Sequence, residues 1–133
     1  MKNLEVAWVL GEIADLLEIK GENQFKIRAY KKASRAVKHL KDNIESLKIK
    51  GSLTEIPGVG KGIAAKIEEY LDTGEIKYLT DLKKEIPPEL LSLIRLPGIG
   101  IKTARIIHEH FPGISIELLE KYAKDGKYEL YQV

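Results

Sequence analysis

Lys66 lies in a stretch that the chain writes twice. IPGVGKGIAAKI at 56–67 returns as LPGIGIKTARII at 96–107, with Ile106 in the place of the lysine. A lysine amine that sheds its proton attacks a carbonyl carbon and forms an imine. An ordinary lysine, with a pKa of about 10.4, is protonated at neutral pH, so that chemistry asks for partial burial or nearby cations to lower the value. The spacing supplies the first condition. Ile63, Ala64, Ile67 and Leu71 form one apolar stripe of a helix, with Lys66 just off its edge and Tyr70 beside it. Ile106 and His110 hold the same flank in the second copy. Three roles fit Lys66: an imine-forming nucleophile, a phosphate contact without chemistry, or a structural lysine whose stem covers apolar surface.

The repeat extends beyond this position. Ser52-Leu53 returns as Ser92-Leu93, Ile56-Pro57-Gly58 as Leu96-Pro97-Gly98, Gly60 as Gly100, and Ala64 and Ile67 as Ala104 and Ile107. Proline fixes the entry φ, and the two glycines of each copy are expected to allow φ > 0 and leave a bend without Cβ atoms. The second glycine, Gly60 or Gly100, opens a helix whose first N–H groups lack partners and carry the positive end of the dipole. Lys61 and Lys102 stand near those helix starts. Such a start suits a phosphate oxygen, and two copies could hold two phosphates along one strand. The alternative is a tight interhelical turn and nothing more. Gly58-Val59-Gly60-Lys61-Gly62 matches neither a dinucleotide fingerprint after a strand nor a P-loop.

A run of positive charge precedes the first copy. Lys26, Arg28, Lys31, Lys32, Arg35, Lys38 and Lys41 come without one acidic residue between them. The formal net charge of +2 hides this asymmetry: residues 1–23 carry 2 basic and 5 acidic side chains, whereas residues 24–72 carry 11 and 6. A polyanion feels that local excess. The run is either a solvated helix face or a phosphate-backbone surface, and the second reading implies steep salt dependence through counterion release. Tyr30, one turn after Lys26, shares its face; its ring is equally suited to half-buried packing.

The elements that position these residues read as all-α. An amphipathic helix is expected over 4–19, with Val6, Leu10, Ile13 and Leu17 inward, Asn3 as N-cap and Gly21 as terminator. A second covers 24–40, with Phe25, Ala29, Ala33, Val37 and Leu40 along its buried side. A short third helix spans 44–49 and stops at Gly51. Each repeat supplies a helical turn, a Pro-Gly-x-Gly bend and a longer helix. Further helical pieces fall around 75–85, 89–94 and 115–124, punctuated by Pro87-Pro88, Pro97 and Pro112-Gly113. KYELYQV at the end alternates only weakly. Two small units are expected, 1–74 and 75–133, meeting near Thr73-Gly74.

Composition removes several functions. Without cysteine there are no disulfides and no thiolate nucleophile. The three histidines lack zinc-ligand spacing. No stretch approaches the roughly 18 apolar residues of a membrane span, and no basic-then-apolar leader opens the chain. A cytoplasmic, monomeric protein without a membrane partner is expected.

The pattern h-P-G-h-G-x-x-x-A-x-x-I resembles the helix-hairpin-helix motif, which binds DNA backbone without sequence preference. FKIRAYKKASRAV (25–37), LTEIPGVGKGIAAKIEEYLDTGEIKYL (53–79) and LIRLPGIGIKTARII (93–107) together resemble the N-terminal region of the family X, polymerase-beta-like DNA polymerases. NLEVAWVLGEIADLLEIKGENQFKIRAY is most similar to their bacterial and archaeal branch. The resemblance implies a 5′-phosphate-binding or lyase domain over 1–74 and a second hairpin subdomain over 75–133. It implies gapped or nicked DNA as partner, with Lys26 and Tyr30 at the 5′-phosphate. It makes Lys66 the lysine that attacks C1′ of an abasic sugar phosphate. It also implies a K+ or Na+ ion at the carbonyls of Thr54, Ile56 and Val59, and another at those of Ile94, Leu96 and Ile99. The family's Mg2+-dependent polymerase chemistry belongs to a palm domain that this sequence does not include. Phe25 stands where the family has a histidine. Gly62 stands where it often has a second lysine, with Lys61 the nearest substitute. Three readings follow: a DNA-binding module, a 5′-deoxyribose-phosphate lyase, or a protein-interaction module whose glycine turns are structural.

Overall fold

The computed structural model describes residues 1–111. The helix expected over 115–124 and the weakly alternating end of the chain lie outside them. Among the described residues the fold is all-α: α1 (Asn3–Lys20), α2 (Gln24–Lys38), α3 (Ile44–Ile49), a 3-10 turn (Leu53–Glu55), α4 (Lys61–Thr73), α5 (Lys77–Glu85), α6 (Pro88–Ile94) and α7 (Ile101–His110). No helix among them is long and apolar enough to cross a membrane.

In α1 the expected stripe is the core: Val6, Leu10, Ile13 and Leu17 are all buried. Gly21 ends the helix in the left-handed region at φ 75°. Its amide donates to the Glu18 carbonyl, and the Glu22 amide donates to that of Leu17. Asn3 departs from expectation. It is the first helical residue and makes no cap. Only 4% exposed, its side chain donates to the carbonyls of Asp42 (2.7 Å) and Leu40 (3.4 Å) and accepts from the Ile44 amide (3.0 Å). A buried amide must have its partners, and here they are backbone groups of the loop that enters α3.

The α2 helix starts at Asn23, whose side chain accepts from the Phe25 amide at 2.7 Å. Its buried face is Ile27, Tyr30, Ala33 and Val37. The expected face was rotated: Phe25 is 79% exposed, and Ala29 and Leu40 are only half-buried. Steps of i+4 advance a helix by about 40° beyond a full turn, so a chain of them drifts off the contact face. Ile27, Tyr30, Ala33 and Val37 combine i+3 and i+4 steps, whose opposite drifts offset each other, and so keep to it. The α1 and α2 helices pack closely at Gly11, where a Cβ would lie 3.3 Å from the Ser34 hydroxyl. That hydroxyl donates to the Ala7 carbonyl at 2.6 Å.

Two compact units divide between Lys84 and Glu85, later than the Thr73-Gly74 boundary that the sequence suggested. The reason is α5. Thr73 and Gly74 form a tied turn, in which the Thr73 hydroxyl donates to the Glu69 carbonyl and the Lys77 amide donates to the Glu69 carboxylate. The Lys83 ammonium then pairs with Glu12 of α1 at 3.2 Å. The first unit's core gathers Leu10, Ile13, Leu17, Ile27, Val37, Ile44 and Ile67. In the second unit α6 begins with Pro88 in its first turn. Leu90, Leu93, Leu96, Ile99, Ala104 and Ile107 are buried there.

Candidate nucleic-acid interface

The two hairpins have the same backbone. Gly58 and Gly98 take φ 84° and 83°, a region that favours glycine. Val59 then donates to the Ile56 carbonyl at 3.0 Å, and Ile99 to that of Leu96 at 3.2 Å. Gly60 precedes α4 at φ −87°, ψ −176°, and Gly100 precedes α7 at φ −86°, ψ 174°. Only the first glycine of each pair has positive φ, so the expectation for the second is corrected. Gly60 and Gly100 are in extended backbone that any residue adopts, and a Cβ on either would meet nothing within 4 Å. Neither conformation nor internal space demands glycine at these two positions. What their lack of a side chain provides is an open approach to a helix start that no side chain caps.

Lys61, Gly62 and Ile63 form the first turn of α4, and Ile101, Lys102 and Thr103 that of α7. Their amides carry the positive end of each helix dipole. Lys61 and Lys102 are exposed. Gly62 has open space where a Cβ would stand, so a longer residue there would fit the fold.

The basic run follows one side of α2: Lys26, Arg28, Lys31, Lys32, Arg35 and Lys38 are exposed, as is Lys41 beyond the helix. Lys31 is paired with Glu18 at 3.4 Å, which offsets part of its charge. Lys32 lies against the first hairpin. A Cβ on Gly58 would come within 2.9 Å of its Cγ. The turn of the first hairpin and the cationic face of α2 are therefore one continuous surface.

Lys66 is half-buried, as its place at the edge of the stripe implied. Its ammonium lies 4.9 Å from the ring centre of Tyr78, and that of Lys26 lies 5.2 Å from the same ring. Tyr78 in turn stacks on Tyr30, with centroids 6.3 Å apart and planes within 20°. Tyr30 is 5% exposed. Burial, with a smaller contribution from Tyr78, pushes its hydroxyl well above the ordinary tyrosine range, so it remains a neutral donor. The Tyr78 hydroxyl holds the Lys26 ammonium above the ordinary lysine range. Three of the expected site residues, Lys26, Tyr30 and Lys66, thus converge from α2 and α4 on a residue of α5 that sequence reasoning had not singled out. The hint available was that Tyr78 precedes the buried Leu79 and so sits at the border of the core-facing side.

The family model described as a helix-hairpin-helix domain matches residues 1–76. The chain belongs to the helix-hairpin-helix family. It is 32% identical over 127 residues to the DNA polymerase/3'-5' exonuclease PolX of Bacillus subtilis (strain 168), covering 96% of this chain and 22% of that protein. It is 31% identical over 111 residues to the DNA polymerase lambda of Rattus norvegicus, covering 82% of this chain and 18% of that one. The chain spans about a fifth of the length of these curated relatives. The relationship to the N-terminal region of the family X DNA polymerases holds. The helix-hairpin-helix match contains the first hairpin, the basic helix and Lys66, and ends just short of Tyr78.

Proposed function

We propose that this chain grips the sugar-phosphate backbone of gapped or nicked DNA, as a monomer and as part of a family X DNA repair polymerase. The observation that carries this reading is the convergence of the Lys26 and Lys66 ammonium groups on Tyr78. Their α2 and α4 helices flank a hairpin whose helix start is bare, and Lys32 connects that hairpin to the basic face. Two ammonium groups and a neutral tyrosine hydroxyl match a terminal phosphate, which carries more charge than a phosphate within the strand. Gly58, Gly60 and Lys61 in the first unit, and Gly98, Gly100 and Lys102 in the second, supply backbone amides and charge for internal phosphates. Arg28, Lys31 and Arg35 extend the cationic track. Carbonyls at the two hairpins are the proposed place for a K+ or Na+ ion. Those of Ile56 and Leu96 each accept one turn hydrogen bond and keep a second lone pair.

The test is the affinity of the chain for a gapped duplex with and without a 5′-phosphate, measured over a salt series. Affinity is expected to fall with a log–log slope of roughly −0.9 for each phosphate neutralised, and to rise when the gap carries the phosphate. Indifference to both salt and phosphate overturns the reading and favours a protein-interaction module.

A second reading rests on Lys66, half-buried within the same cluster. As a free amine it would attack C1′ of a ring-opened abasic sugar 5′-phosphate and form an imine with loss of water. Removal of a C2′ proton then breaks the C3′–O bond, freeing the DNA strand with its own 5′-phosphate, and water hydrolyses the imine. Borohydride reduction of the imine traps chain and sugar together. Absence of a trapped adduct removes the lyase and leaves backbone binding standing.

A further inference from the structure

We propose that Tyr78 is the positioning residue of a two-lysine cradle for a terminal phosphate, one that presents Lys26 and Lys66 together. The inference rests on the phosphate-binding reading above and names the residue through which that site is built. Lys26 belongs to α2 and Lys66 to α4, and neither helix by itself fixes where a long flexible lysine points. Both ammonium groups nevertheless lie against one aromatic ring, at 5.2 and 4.9 Å from the Tyr78 centroid. Such distances fall within the reach of a cation–π attraction, about 6 Å. One ring common to both is an anchor that orders two otherwise independent lysines before an anion arrives.

Tyr78 is itself held. Its ring stacks on Tyr30, which is buried in the core of the first unit, and the next residue, Leu79, is buried as well. The ring is only half-buried, leaving part of it for the two cations. The phenol contributes separately from the ring, because the hydroxyl is the group that stabilises charged Lys26. Ring and hydroxyl therefore have divisible parts: the ring seats both lysines, and the hydroxyl adds to Lys26 alone. Tyr78 lies beyond the residues matched by the family model, so the match does not assign it a role.

The division dictates the experiment. Tyr78→Phe keeps the ring and Tyr78→Leu removes it. The quantity to measure is the ratio of affinities for a gapped duplex with and without a 5′-phosphate, in which every contact independent of that phosphate cancels. Each cation–π contact at a partly exposed ring is worth a factor of about two to five. The ratio is expected to fall about fivefold or more in Tyr78→Leu and about twofold in Tyr78→Phe. In the free chain, proton NMR of the lysine ε-methylenes reads the anchor without any DNA. The ring current should displace those of Lys26 and Lys66 upfield in the wild type and in Tyr78→Phe, and the displacement should vanish in Tyr78→Leu. If the ε resonances are undisplaced in the wild type, or the affinity ratio is the same in all three folded proteins while the wild type prefers the phosphate, Tyr78 is a packing residue and the proposal falls. If the wild type shows no phosphate preference but does show displaced resonances, the phosphate reading fails instead, and the cradle loses its ligand while the lysine anchor stands.

Discussion

The two hairpins share a backbone to within about 10° at their paired glycines and differ along one flank of the helix that follows. In the first, that flank carries Lys66 and Tyr70; in the second, Ile106 and His110. Lys66 reaches the Tyr78 ring, and Tyr70 donates to Glu5 of α1 at 2.6 Å. Ile106 is half-buried and His110 exposed. The turn itself is insensitive to this exchange. Gly58 and Gly98 supply the left-handed φ, Ile56 and Leu96 accept the same turn bond, and Ala64 and Ala104 donate to Gly60 and Gly100 at the same 2.9 Å. Under the proposed function, backbone gripping belongs to the shared residues. Any covalent chemistry is a property of the border position, where a side chain changes without disturbing the turn.

The largest expected effect tests that division directly. Lys66→Ala should reduce borohydride-trapped adduct by more than about 100-fold, since the nucleophile itself is gone. Ile106→Lys should not restore it. Between Glu85 and His110 the sequence has no Phe, Tyr or Trp ring to seat an introduced ammonium. A trapped adduct at position 106 would show that the backbone cradle alone activates a lysine, and the contrast between the hairpins would collapse.

Glycine substitutions divide each hairpin further. Gly60→Ala and Gly100→Ala should leave thermal stability unchanged, since the backbone is extended and the space is open. Each should weaken DNA binding about tenfold, because hydrogen bonds to a charged group are worth about 1.5–3 kcal/mol and a methyl group would hold the phosphate away. Gly58→Ala, in contrast, should lower thermal stability. Left-handed backbone costs a non-glycine residue about 1–2 kcal/mol, and the new Cβ must also displace the Lys32 stem. Calorimetry and filter binding on the same four proteins, wild type included, measure both columns. Equal destabilisation by Gly60→Ala and Gly58→Ala would show that the second glycine serves the turn after all.

How much of this was visible in the sequence depends on the range of the interaction. The hairpins were legible because proline, two glycines and an alanine at fixed offsets specify a local conformation, and the copy confirmed the offsets. The inner face of α1 was legible for the same reason, with Val6, Leu10, Ile13 and Leu17 each within a turn of the next. Phe25 was misplaced because hydrophobicity alone says that a phenylalanine prefers burial. Its position opposite Ile27 on the helix, two residues after the Asn23 cap, sends it into solvent. Asn3 was misread because its partners, Leu40, Asp42 and Ile44, are contributed by a loop far along the chain. Tyr78 was missed on the same ground. Its ring gathers side chains from α2 and α4, and no local pattern announces a residue whose importance lies in what two other helices bring to it.

The smallest expected effect concerns Tyr70, the other first-hairpin residue on the variable flank. Its hydroxyl donates to the Glu5 carboxylate, and that bond, more than its slight burial, pushes its pKa up to about 12 from an ordinary 10.0. A hydrogen bond to a charged acceptor at a solvated position is screened, so Tyr70→Phe should destabilise the first unit by only about 0.5–1 kcal/mol at neutral pH. The pH dependence carries a definite sign. Because the folded value is raised, the stabilisation is fully present below the unfolded pKa near 10 and is lost as pH rises through about 12. Urea midpoints of the wild type and Tyr70→Phe should therefore differ by a constant amount up to about pH 10 and converge above it. A difference that persists unchanged beyond pH 12 would assign the effect of Tyr70 to the packing of its ring, and the flank would then distinguish the hairpins through Lys66 alone.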